Sequence, residues 1–169
     1  DSSPCAMLIP IEIVKNNPFP LGKFHEDDYT TYKYFLSAKK VAVTTKSQYF
    51  YLQREGSIMH TFGQANIDEL NAADNYVYFC KKFYPDLISA AESKKFSDYC
   101  QVLLSNKDID KINHKEYLRI CNYINEVKIR IFKDKKCRIK NRIAALIIII
   151  FGLNGLVVLK KIVLLRTKI

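Results

Sequence analysis

Residues 41–53 read VAVTTKSQYFYLQ, and the reading of this stretch decides the fold class. Val41–Thr45 is a β-branched run and Gln48–Gln53 is rich in aromatics, the residue types that suit a pleated, half-buried surface. Thr45-Lys46-Ser47 would turn between two short strands. Working upstream, Glu26 to Ser37 has the spacing of a helix with Tyr29, Tyr32, Phe35 and Leu36 on one face. Before it, Asn16-Asn17-Pro18-Phe19-Pro20-Leu21-Gly22 reads as a loop, since two prolines oppose a helix and Gly22 supplies a turn. Residues 5–14, CAMLIPIEIV, form an apolar run broken by Pro10, either a short strand or a turn of helix followed by an extended piece.

Downstream of Ile67 the pattern is helical. Leu70, Ala73, Val77 and Cys80 recur at three- and four-residue steps, and Tyr84-Pro85-Asp86 restarts a helix that runs to Leu104. A third helix, Asp108 to Asp134, places Ile109, Ile112, Tyr117, Ile120, Ile124, Val127 and Ile131 on one stripe. The expected architecture is therefore α/β, a piece with two or three short strands, followed by an all-helical tail. It divides into residues 1–62, a helical extension over 63–137, and a basic, apolar helix over 138–169.

Charge follows the same division. Residues 1–100 carry 11 Lys/Arg against 12 Asp/Glu, a net of −1, whereas residues 101–169 carry 16 against 5, a net of +11. Basicity confined to one end does not describe a nucleic-acid binder and points to an anionic membrane surface. The five cysteines, Cys5, Cys80, Cys100, Cys121 and Cys137, form no metal-ligand spacing and no disulfide framework, so reduced thiols in the cytosol are expected. The chain opens on Asp1 in what reads like the middle of a domain, and the N-terminus is expected to be a truncation.

Residues 143–159, IAALIIIIFGLNGLVVL, are flanked by basic residues on both sides and contain Asn154. As a helix they would extend roughly 25 Å against a hydrocarbon core of roughly 30 Å. A core helix, a helix lying on the membrane surface and a true span all remain open. The basic flanks and the amphipathic helix before them favour membrane proximity.

Two stretches could carry chemistry. In Gly22-Lys23-Phe24-His25-Glu26-Asp27-Asp28 a turn delivers three consecutive acids to the mouth of a helix. Acids there complement the exposed amides and the dipole of any helix start. They also suit a general base, because a carboxylate beside two others has a raised pKa. In residues 48–60, QYFYLQREGSIMH, Arg54-Glu55-Gly56-Ser57 sets a guanidinium beside a turn, a pattern suited to a diphosphate. Taken alone, Arg54 is more often a surface residue paired with a nearby glutamate, and His60 more often a partly buried histidine than a metal ligand.

Together these segments resemble family 2 glycosyltransferases, in particular bacterial enzymes that build capsular, exopolysaccharide and other surface glycans. The resemblance runs through Pro4-Cys5-Ala6-Met7-Leu8, then Phe19-Pro20-Leu21-Gly22-Lys23-Phe24-His25-Glu26-Asp27-Asp28, then Tyr49-Phe50-Tyr51-Leu52-Gln53-Arg54-Glu55-Gly56-Ser57-Ile58-Met59. Ala6-Met7-Leu8-Ile9 departs from the family's polar and aromatic first segment. The resemblance implies the C-terminal part of a GT-A, Rossmann-like catalytic domain that transfers sugar from a nucleotide-diphosphate donor with inversion.

Asp27 would then be the catalytic base. Glu26 or Asp28 would hold acceptor hydroxyls or orient the base, with His25 alongside. Arg54 and Ser57 would lie near the leaving diphosphate, and His60 would contact a divalent metal, Mg²⁺ or Mn²⁺. The donor-binding half and its metal-binding DxD are expected upstream. The literal match Asp108-Ile109-Asp110 lies in a helix start and is set aside. On this reading the 169 residues alone are inactive without that half and bind no metal themselves. The implied partners are a nucleotide sugar, a glycan or lipid-linked acceptor, and the cytoplasmic face of a bacterial inner membrane, on which the protein would be peripheral. The competing reading is a non-catalytic, membrane-associated helical module, or a decayed glycosyltransferase, in which the three acids only cap a helix.

Overall fold

A computed structural model describes residues 3–46, 49, 50, 52, 62–106 and 108–166, with side chains described as far as Leu156. Among the described residues seven α-helices follow in order: α1 (Ile11–Asn16), α2 (Glu26–Ser37), α3 (Gln64–Phe83), α4 (Ile88–Ser105), α5 (Ile109–Ile112), α6 (His114–Lys133) and α7 (Ile139–Arg166). Short 3₁₀ turns at Pro4–Ala6 and Pro85–Leu87 precede α1 and α4.

The expected α/β architecture is overturned: there is no strand among the described residues, and the chain is all-helical. Residues 41–45 adopt no regular structure, and Val43 and Phe50 stand 87% and 91% exposed. The physical reason lies in what β-propensity measures. A β-branched or aromatic run is stabilised by cross-strand neighbours and a buried face, and here neither is present among the described residues. A Rossmann-like sheet therefore has no counterpart in the described chain.

The chain forms two compact units, Asp1–Tyr76 and Val77–Ile169, with the division falling inside α3. In the first, α1 packs on α2. α2 has the expected limits but buries a different face: Thr30, Thr31 and Tyr34 are inside, while Phe35 is exposed. The Tyr34 ring meets Phe19 edge-on, with centroids 5.8 Å apart, so the proline-rich loop covers this face. Tyr32 keeps its hydroxyl at the edge, where it donates to Asn75 Oδ1 at 3.0 Å.

In the second unit α6 is the central element, packing on α4, α5 and α7. Ile120, Cys121, Ile124, Val127 and Ile131 form its buried stripe. The expected continuous helix is broken at Asn113, whose side chain accepts from the Glu116 amide at 3.2 Å and so starts α6 afresh. This break removes Ile112 from the stripe and leaves it exposed. α7 packs through one face only. Asn141, Ala145 and Ile148 are buried, and Asn141 Nδ2 donates to the Ser93 carbonyl at 2.6 Å and to Ser93 Oγ at 2.9 Å. Ile139, Ile143, Ile150 and Phe151 remain exposed.

Candidate functional site

The turn before α2 contains two left-handed residues, Gly22 at φ 69° and His25 at φ 54°, ψ 38°. Gly22 takes this conformation without a Cβ penalty, whereas His25 adopts it against a cost of about 1–2 kcal/mol. The backbone is held there by a carboxylate 44 residues away. Asp68, fully buried on α3, accepts the Phe24 amide at 3.1 Å, Lys23 Nζ at 3.2 Å and Gln64 Nε2 at 3.1 Å. Burial raises the Asp68 pKa, but these three hydrogen bonds and the lysine charge outweigh it, and the net shift is downward.

His25 opens α2, and its carbonyl accepts the Asp28 amide at 3.0 Å. The same amide donates to Asp27 Oδ1 at 2.9 Å, which fixes the Asp27 side chain against the first turn. Glu26 points to solvent. The Asp27 pKa is raised, first by partial burial and then by the Asp28 and Glu26 charges, against the opposing Asp28 amide and His25. His25 Nδ1 lies 3.9 Å from Asp28 Oδ2, an ion-pair distance rather than a hydrogen bond.

For the Cys5 thiol, hydrogen bonding to Ser3 and then Tyr49 lowers the pKa, while desolvation and the Asp27 charge act in the opposite direction.

The structure thus groups His25, Asp27 and Asp28, with Glu26 at the rim. Arg54, Ser57 and His60 lie outside the described residues. Asp108 and Asp110, the literal DxD, are occupied elsewhere, with Lys111 and His114 as their partners. Asp68 escapes a motif-based reading. Its signal was available nonetheless: an acid at the buried positions Ala65, Asp68, Ala72 and Tyr76 of a helix must have a partner.

Donor atoms of His25, Asp27 and Asp28 lie within 4.8 Å of one another, close enough for the three to share one divalent cation. Coordination there would lower the Asp27 pKa and occupy the oxygen needed for a proton, so a cation at this group and a base at Asp27 exclude one another. A cleft of about 370 Å³ between α4 and α7 has apolar walls at Phe96, Leu104, Ala144 and Leu156. Its Cys100 thiol is pushed up to about 12 by burial and is no nucleophile. Comparison with family models, curated proteins and solved structures finds no match to this chain.

Proposed function

We propose that this chain supplies the acceptor-side, base-bearing part of an inverting glycosyltransferase of the family 2 type, acting in cell-surface polysaccharide assembly. The observation that supports this reading is the grouping of Asp27 with His25 and Asp28 at the mouth of α2, their donor atoms within 4.8 Å of one another, with the Asp27 pKa raised by partial burial and by the Asp28 charge. The proposal concerns the chemistry of that motif, not an α/β architecture.

In this reaction the acceptor hydroxyl oxygen attacks the anomeric carbon of a nucleotide-diphosphate sugar. Asp27 takes the hydroxyl proton as the new C–O bond forms. The bond to the diphosphate breaks on the opposite face, and its electron pair leaves with the diphosphate. A raised pKa makes Asp27 a stronger base than an exposed aspartate. Glu26, exposed at the rim, and Asp28 with His25 are placed to hold acceptor hydroxyls. Arg54 and Ser57 retain the diphosphate role that the resemblance gives them. His60 retains the contact to the Mg²⁺ or Mn²⁺ ion of such enzymes that the resemblance gives it.

The exposed face of α7 is proposed as the contact with an anionic membrane, on the cytoplasmic side, where lipid-linked acceptors would be presented. α7 is long and apolar enough to cross a membrane over Ile139–Leu156. Its polar attachment through Asn141 to Ser93 favours a helix lying on the surface over one that spans.

The test is sugar transfer by the complete gene product that contains these residues. Asp27→Asn is expected to lower kcat by about 10²- to 10⁴-fold, the usual contribution of a general base. Near-normal turnover would remove Asp27 from that role.

A further inference from the structure

We propose that Asp68 is the positioning residue of this site: by holding the Phe24 amide, with the Lys23 ammonium beside it, Asp68 sets the left-handed turn at His25 and thereby the direction in which Asp27 is presented. The proposal rests on the base reading of Asp27 for its consequence, though its geometry is independent of it.

Three features argue for positioning rather than generic burial. First, the Asp68 carboxylate gathers donors from two places: Gln64 one turn earlier on its own helix, and Lys23 and Phe24 from the turn. Lys23 is half exposed and could be solvated by water, but the Phe24 amide is a fixed backbone donor one residue before His25. Second, among the described hydrogen bonds of residues 18–25, those leaving the turn for another element all end on Asp68, apart from the Asp28–His25 closure of α2 itself. Third, His25 has no side-chain capping bond of its own to hold a left-handed backbone. Its conformation is disfavoured locally and persists where neighbouring contacts determine it. Without the Phe24 bond, His25 is free to relax to a right-handed or extended conformation. The first turn of α2, with Asp27 and the Asp28 amide that holds it, would then reorient. A displacement of the order of 1 Å at a reacting group is enough to cost about 10²-fold in rate.

Asp68→Ala and Asp68→Asn separate the roles. The alanine variant leaves the Phe24 amide without its acceptor. The asparagine variant keeps one carbonyl oxygen for Phe24, while Lys23 swings to water and the Gln64 amide turns over to accept. Hydrogen exchange on the 169-residue chain is the first readout. Asp68→Ala is expected to raise exchange over residues 24–28 by about tenfold or more, as the loss of one buried hydrogen bond allows. Leu70–Phe83 should keep their protection, and Asp68→Asn should stay near wild type. Unchanged exchange over 24–28, or an equal rise along all of α3, would overturn the proposal. Should Asp68→Ala fail to fold, Asp68→Glu, which keeps the charge but displaces it by one methylene, is read by the same two outcomes.

Transfer kinetics of the complete gene product are the second readout. Asp68→Ala should lower kcat by about 10²-fold with KM little changed, and Asp68→Asn should restore most of it. Full kcat in Asp68→Ala while Asp27→Asn is inactive overturns the positioning role. If Asp27→Asn and Asp68→Ala both transfer normally although exchange over 24–28 has risen, the base role of Asp27 fails and the anchor stands.

Discussion

Asp27 and Asp68 lie on the two sides of one turn, and the folded protein shifts their pKa values in opposite directions. The signs give a pH test at the level of single residues. Asp68 has a folded pKa below its unfolded value of about 3.9, so its stabilisation is complete above that value and is lost as pH falls through the folded pKa. Asp27 has a folded pKa above its unfolded value, so its ionised form opposes folding, and that penalty disappears as the pH drops. Asp27→Asn should therefore raise the melting temperature at pH 7, since the amide oxygen still accepts from Asp28 while the like-charge repulsion is gone. The gain should vanish below about pH 4, where the native carboxyl is protonated in both states. Asp68→Asn should behave in the reverse way, less stable than wild type at pH 7 and converging on it in acid. Thermal melts across pH 7 to 2 check both, and pH-independent differences would show that neither carboxylate titrates as its surroundings require.

At the scale of elements, legibility depended on whether the stabilising partner is local. The limits of α2 could be read from its acids and from the loop before it, because a cap and a dipole are local effects. The stripe Ile120, Ile124, Val127 and Ile131 could be read from periodicity, and all four are buried. The start of α6 was written in Asn113-His114-Lys115-Glu116, a capping-box spacing outweighed by the longer apolar pattern running through it. The strand expected at 41–45 does not form because pairing is non-local, and no β-branched run states what it will pair with; Gln48, Tyr51 and Gln53 of the second expected strand lie outside the described residues. The buried face of α2 was misread for a related reason: Phe19 and the loop cover Thr30, Thr31 and Tyr34, so tertiary cover outranks the apolar count. In α7 a single residue interrupts an otherwise unbroken apolar helix. Gly152 sits at φ 68°, ψ −173°, a region open essentially to glycine alone. A Cβ there would meet no atom within 4 Å, so any penalty is conformational rather than steric. Gly152→Ala is expected to cost about 1–3 kcal/mol or to straighten the helix. Denaturant unfolding and helix content by circular dichroism distinguish these results, and no change in either would mean that the kink is not held.

Over the whole molecule the dominant asymmetry is charge. Beyond Asp134 the chain has nine Lys and Arg and not one Asp or Glu. The same segment carries the exposed apolar face of α7, with Ile139, Ile143, Ile150 and Phe151 outward, while Lys135, Lys136, Arg138 and Lys140 are exposed around its start. An apolar face rimmed by one sign of charge matches a surface that is both oily and anionic. Each basic residue near such a surface contributes about 1 kcal/mol. The attraction is screened over about 10 Å at 0.1 M salt and about 3 Å at 1 M. In flotation assays the protein should therefore rise with vesicles rich in phosphatidylglycerol, less with phosphatidylcholine alone, and be largely released by 1 M salt. Ile143→Asp with Ile150→Asp should abolish the residual, salt-resistant binding, because both side chains lie on the exposed face and neither supports the core. Sedimentation of the same variant provides the counter-test. If wild-type protein ignores anionic vesicles but forms a dimer that the double substitution dissociates, the face belongs to a second copy of the chain, and the basic rim serves some end other than lipid.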